Sequence, residues 1–111
     1  MPFEFGDILL VPFPFTSLAA FKKRPAVVVS SRAYNDMRPD VIVMAVTSQL
    51  RANPGRFDVV VAQWQVAGLL QPSAVKPIFA TLEQALVLRR LGVLDSADQN
   101  RLRRAISEML G

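Results

Sequence analysis

Two short stretches of this 111-residue chain gather side chains that could act on a phosphate. Lys22-Lys23-Arg24-Pro25 is the densest basic cluster, and Thr47-Ser48-Gln49 sets three hydrogen-bonding side chains in a row behind an apolar run. An arginine offers a phosphate a planar fork of donors, and a lysine offers a point charge. Hydroxyls and an amide close by can hold the same oxygens. Each stretch also has a plainer reading, because a run of charges is commonly a solvated loop and Thr and Ser enter turns for local reasons. Ser73, behind Pro72, stands open to the same two readings. Trp64, among apolar neighbours, reads as a core or interface anchor, and Arg101, Arg103 and Arg104 read as the wet face of a helix.

What the chain lacks narrows the chemistry further. It contains no cysteine and no histidine, which removes disulfides, thiolate nucleophiles, the usual zinc sites, Ser-His-Asp triads and acid–base work by paired histidines. Its acids are scattered without a metal-ligand pattern, so no metal and no cofactor is expected. Thirteen basic residues against nine acidic give a net charge of +4, which favours a polyanionic partner. Glu4 and Asp7 stand where a secretory signal would carry basic residues. The uncharged stretches from Ile8 to Phe21 and from Val59 to Val75 are broken by Pro12 and Pro14, and by Gln63, Gln65, Gln71 and Pro72. No membrane span and a cytoplasmic location are therefore expected.

The scaffold that must position these residues is rich in strands. With 111 residues, 51% of them apolar, residues 1–111 are read as a single domain around one core. Ile8-Leu9-Leu10-Val11, Ala26-Val27-Val28-Val29, Val41-Ile42-Val43-Met44-Ala45-Val46 and Val59-Val60-Val61 are branched runs bounded by Gly, Pro, Asn or Asp, and predict strands. Pro12 and Pro14 are expected to end the first strand, since proline cannot donate to a ladder, and Pro25 to mark the edge of the second. The basic cluster then lies where a long loop, Phe13 to Arg24, enters a strand. Asn35-Asp36 and Asn53-Pro54-Gly55 predict turns. Residues 63–68 predict a short helical turn, Pro72 to Phe79 extended chain, and the stretch near Glu83 a helical turn leading into a strand through Arg89 and Arg90. Ser96-Ala97-Asp98-Gln99 reads as a capping box with Ser96 as N-cap. One apolar helical face follows at Leu102, Ala105, Ile106, Met109 and Leu110, with Gly111 as C-cap.

In their order along the chain these motifs resemble the MazF/PemK family of toxins from type II toxin-antitoxin pairs. Gly6-Asp7-Ile8 with Val11-Pro12-Phe13-Pro14-Phe15-Thr16 is similar to the family opening, Arg24-Pro25-Ala26-Val27-Val28-Val29-Ser30 to its second strand, and Val46-Thr47-Ser48-Gln49 to its third. Ala67-Gly68-Leu69, Pro72-Ser73-Ala74-Val75-Lys76 and Arg90-Leu91-Gly92 continue the likeness. The resemblance implies a β-rich α+β fold, a small SH3-like barrel of the CcdB/PemK kind with a C-terminal helix. It also implies a homodimer, a cognate antitoxin, and metal-independent, sequence-specific cleavage of single-stranded RNA (mRNA) by attack of the 2′-hydroxyl on the adjacent phosphate. The family's catalytic arginine falls on Arg24 and its threonine on Thr47, with Lys22, Lys23, Ser48, Gln49, Ser73 and Lys76 as RNA-binding residues. Two positions depart from the pattern. Ser17-Leu18-Ala19-Ala20-Phe21 is apolar where the family loop is polar, and Lys76 stands where arginine is common, keeping the charge without the fork. Two other readings share the fold: a catalytically silent module that grips a protein target, and a barrel that binds RNA on Phe13, Phe15 and Phe21 without cutting it.

Overall fold

The computed structural model describes residues 2–13, 22–50 and 53–111. Its strands are β1 (Asp7–Phe13), β2 (Lys22–Val28), β3 (Asp40–Thr47), β4 (Val59–Val60), β5 (Ala74–Glu83) and β6 (Arg89–Val93). They form one antiparallel sheet in the order β4-β5-β3-β2-β1-β6. Helix α1 (Arg32–Met37) precedes β3, a single 3-10 turn (Gln84–Leu86) links β5 to β6, and helix α2 (Ser96–Leu110) closes the chain.

Both faces of the sheet are apolar, which is why its strands appear in the sequence as unbroken branched runs. On one face Ile8, Val27, Met44, Val46 and Val75 pack with Ala67, Leu69, Leu94 and Leu102 of α2. On the other, Leu9, Val11, Ala26, Val28, Val41 and Val43 form a second core against Ala80, Leu82 and Val87. In a flat sheet β5 and β6 would stand four strands, about 19 Å, apart. Residues 84–88 join them and include the 3-10 turn, so the sheet has to curl to bring them within reach. Curling wraps the second core as the interior of a small half-barrel. This is the β-rich fold with a closing helix that the motifs implied.

Several expectations change in detail. β1 runs through Pro12 to Phe13 instead of stopping at Val11. β6 pairs only with Asp7 to Leu10, so past Leu10 a proline can stand where its missing N–H would face an unpaired side. β2 begins at Lys22, so the basic cluster is the first half of a strand paired to β1 and not part of a loop. Asn35 and Asp36, expected in a turn, belong to α1. Ser31 caps that helix by accepting from the Tyr34 N–H at 3.1 Å, and buried Asn35 donates to the Phe3 carbonyl at 2.9 Å. In α2 the cap is Asp95, one residue earlier than expected, accepting from the Ala97 N–H at 3.0 Å while Gln99 reaches back to the Leu94 carbonyl at 2.9 Å. Asp and Ser rank equally as caps, which left the position open by one residue. Leu110 is exposed and lies outside the apolar face. Pro14 to Phe21, including Phe15 and the apolar Ser17-to-Phe21 loop, lie outside the described residues.

Residues 62–68 form the expected turn, and two devices fix it in place. Buried Asp98 accepts from the Ala62 and Gln63 N–H groups at 3.0 and 2.9 Å and pairs with Arg101, drawing that arginine off the wet face of α2. Gly68 has φ +82°, and a Cβ there would lie 2.1 Å from the Leu91 carbonyl oxygen. A Cβ on Gly92 would lie 2.4 Å from the Ala67 carbonyl oxygen. The backbones of the turn and β6 therefore touch, which only glycine permits. Among the described residues no helix is long and apolar enough to cross a membrane.

Candidate active site

Strand pairing decides where the polar side chains go. Leu10 in β1 faces Pro25 on one side and Arg89 on the other, and Val11 faces Arg24. β2 pairs with β3 only from Ala26–Ala45 to Val28–Val43, so Arg24 and Thr47 both lie beyond the paired stretch, at the same end of the two antiparallel strands. A cleft of about 330 Å³ opens at this end of the sheet, lined among others by Lys23, Arg24, Ser48, Gln71, Ser73 and Arg89. Among the described residues that line it, three carry positive charge and none is acidic. A smaller hollow of about 150 Å³ is lined by Thr47, Gln49, Asp58 and Lys76.

The expected residues are thus divided. Lys23, Arg24, Ser48 and Ser73 share the cleft, while Thr47, Gln49 and Lys76 share the neighbouring hollow, and Lys22 stands exposed at the start of β2. Consecutive residues, Thr47 at the end of β3 and Ser48 after it, line the one and the other.

Residues 4–110 match the family model of the PemK-like, MazF-like toxins of type II toxin-antitoxin systems. The chain belongs to this family. Its fold is that of the Mycobacterium tuberculosis toxin MazF-mt6, with a TM-score of 0.74 and 23% identity over 92% of this chain and 93% of that one. It is also similar to a chain of the MazE-MazF structure (Form-III) from Deinococcus radiodurans, with a TM-score of 0.78 and 20% identity over 100% of this chain and 98% of that one. A mycobacterial endoribonuclease in complex with its cognate antitoxin aligns at a TM-score of 0.77 and 20% identity, over 97% and 94% of the two chains. No curated protein matches this toxin in sequence.

The polar groups of this PemK-like toxin differ in how far they are already committed. Thr47 Oγ1 accepts from the Gln49 N–H at 3.1 Å, and because a hydroxyl both accepts and donates, that bond leaves its proton for another acceptor. Ser73 is 3% exposed and donates to the Gln71 carbonyl at 2.8 Å, so only its lone pairs remain. Lys76 Nζ lies 3.0 Å from Asp58 Oδ2, and that carboxylate, its side chain 7% exposed, also accepts from the Gly55 N–H at 2.9 Å. Much of the Lys76 charge is compensated there. Phe13 is buried in the second core and offers no face for base stacking, and Trp64 packs partly buried against the first core, as an anchor would.

Two residues of the site escaped the sequence. Asp58 is 18 residues from Lys76, and only the ladder that sets β4 beside β5 brings them together. Arg89 is half of a doublet that strand alternation splits. Arg90 turns to Asp7 at 2.9 Å, whose carboxyl burial holds above its usual range, and Arg89 turns to the cleft. Lys76→Ala removes the ammonium partner of a mostly buried carboxylate, and the expected cost is roughly 1 to 3 kcal/mol of stability. Urea denaturation checks this; an unchanged midpoint would show that the ion pair contributes little.

Proposed function

We propose that this toxin is a sequence-specific endoribonuclease that cleaves single-stranded mRNA without a metal ion. It acts in the cytoplasm as a homodimer of single-domain chains until a cognate antitoxin covers the basic edge. The observation that carries this reading is a cleft with three cations and no acid among its described lining residues, next to a threonine whose hydroxyl proton its Gln49 bond leaves available. That a mycobacterial protein of the same fold is an endoribonuclease with a cognate antitoxin supports it. Large apolar side chains left exposed, such as Leu70 at 93% and Val66 at 64%, support association with a second copy.

In this mechanism the substrate 2′-hydroxyl attacks the adjacent phosphorus, and the bond to the 5′-oxygen breaks. The products are a 2′,3′-cyclic phosphate and a 5′-hydroxyl. Arg24 stabilises the charge that gathers on the pentacoordinate phosphorus and hydrogen-bonds the leaving oxygen without giving up its own proton, and Thr47 donates one hydrogen bond to the same group. With no histidine in the chain, the 2′-hydroxyl proton passes to water, and water supplies the proton that the 5′-oxygen takes up as it leaves. Lys22 and Lys23 attract the backbone, Ser48 and Gln49 hold it, and Ser73 and Lys76 shape the walls.

Incubation with mixed-sequence single-stranded RNA tests the reading. Discrete fragments are expected, and RNA left intact by saturating protein would overturn it in favour of a silent binding module. Lys22→Ala and Lys23→Ala are each expected to weaken binding to all sequences alike and to flatten its salt dependence by about 0.7 in the log–log slope. An unchanged slope in both would remove these lysines from the interface.

A further inference from the structure

Arg89 has no role in the mechanism above, yet it lines the same cleft as Lys23 and Arg24. Its position is fixed by pairing: Pro25, Leu10 and Arg89 form one row across β2, β1 and β6. Two strand spacings, about 10 Å, separate Arg89 from β2. The Leu88 N–H donates to the Leu10 carbonyl at 2.9 Å and the Gly92 backbone abuts Ala67, so β6 is held firmly at this point.

The cations around the site also sort by partner. Arg90 is tied to Asp7, Lys76 to Asp58 and Arg101 to Asp98. Among the described residues Arg89 and Lys23 have no carboxylate within ion-pair distance, and both face a space that no described acid lines. An exposed guanidinium, unpaired among those residues and held on a rigid strand, is suited to a phosphate fork.

We infer that Arg89 grips the phosphate next to the one that is cut, so that the RNA strand crosses β1 from β2 toward β6. This rests on the proposed RNA substrate, and it makes Arg89 a substrate-binding residue outside the reacting atoms.

The test is fluorescence anisotropy of a single-stranded RNA carrying 2′-O-methyl groups, which cannot be cut, titrated across a range of salt. Native toxin is compared with Arg89→Ala, Arg89→Lys and Arg104→Ala, the last removing the same charge from α2 at a position that does not line the cleft. Arg89→Ala is expected to bind several-fold more weakly and to lower the salt slope by about 0.7. Arg89→Lys restores the slope but only part of the affinity, because the charge returns without the fork. Arg104→Ala keeps the native slope. With cleavable RNA, Arg89→Ala raises KM more than it lowers kcat.

Arg89→Ala and Arg104→Ala sharing the native slope would overturn the inference, and so would native toxin that fails to bind the RNA. Failure of the cleavage reading shows separately, as intact cleavable RNA with native toxin, since the anisotropy series uses RNA that cannot react.

Discussion

Arg24→Ala is expected to slow single-turnover RNA cleavage by roughly 100-fold or more while leaving RNA affinity close to native. The scale is that of losing one preorganised donor aimed at developing charge. Arg24 sits in a paired strand opposite Val11, so its backbone is held before substrate arrives. Lysine at this position keeps the charge without the planar fork, and Arg24→Lys should fall between native and alanine. Thr47→Ala should be milder, since it removes one neutral hydrogen bond. Because Thr47 Oγ1 also accepts from the Gln49 N–H, Thr47→Ser, which keeps both functions, separates lost chemistry from a loosened strand end. Normal single-turnover cleavage with weakened binding in Arg24→Ala would reduce Arg24 to a phosphate anchor.

The second large effect is on folding. Gly68→Ala is expected to destabilise the toxin by roughly 3 kcal/mol or more, combining left-handed backbone strain with overpacking against a carbonyl. Domains of this kind are stable by about 5 to 15 kcal/mol, so that is a large share. The added Cβ would meet the Leu91 carbonyl oxygen at 2.1 Å, a backbone atom that cannot swing aside. Gly92→Ala brings its Cβ within 2.4 Å of the Ala67 carbonyl oxygen without left-handed strain, and should cost less than Gly68→Ala, through overpacking alone. Gly111→Ala is the control: its φ of +92° carries strain, but nothing lies within 4 Å of the new Cβ, and about 1 kcal/mol is expected. Denaturant midpoints measure all three. Gly68→Ala as stable as Gly111→Ala would mean that turn and strand are not held together by this approach.

The strands were legible because burial on both faces writes itself as branched runs, and α2 because one apolar stripe recurs at helical spacing. The basic cluster was legible through its density alone. Pro12 misled because whether a proline ends a strand depends on where the neighbouring strand stops, which is a tertiary fact. Helix α1 was hidden because its six residues carry no apolar period, and buried Asn35 is held by Phe3 and Ser30 from outside the helix. The division that puts Lys23, Arg24, Ser48 and Ser73 in the cleft but Thr47, Gln49 and Lys76 in the hollow depends on how several strands come together, which no single strand contains. The pairs Asp7–Arg90 and Asp58–Lys76 join residues distant in sequence, and without them the sequence could not distinguish the compensated cations from Arg89.

The central claim, cleavage by the substrate's own 2′-hydroxyl with no metal ion, is tested most directly by incubating purified toxin with single-stranded RNA in excess EDTA and analysing the fragment ends. Among the described residues no group of three or more acidic side chains could hold a metal ion, and the chain has no histidine or cysteine to supply other ligands. The expected result is undiminished cleavage, with 2′,3′-cyclic phosphate on one fragment and 5′-hydroxyl on the other. Cleavage abolished by EDTA and restored by magnesium, or fragments carrying 5′-phosphate, would contradict it.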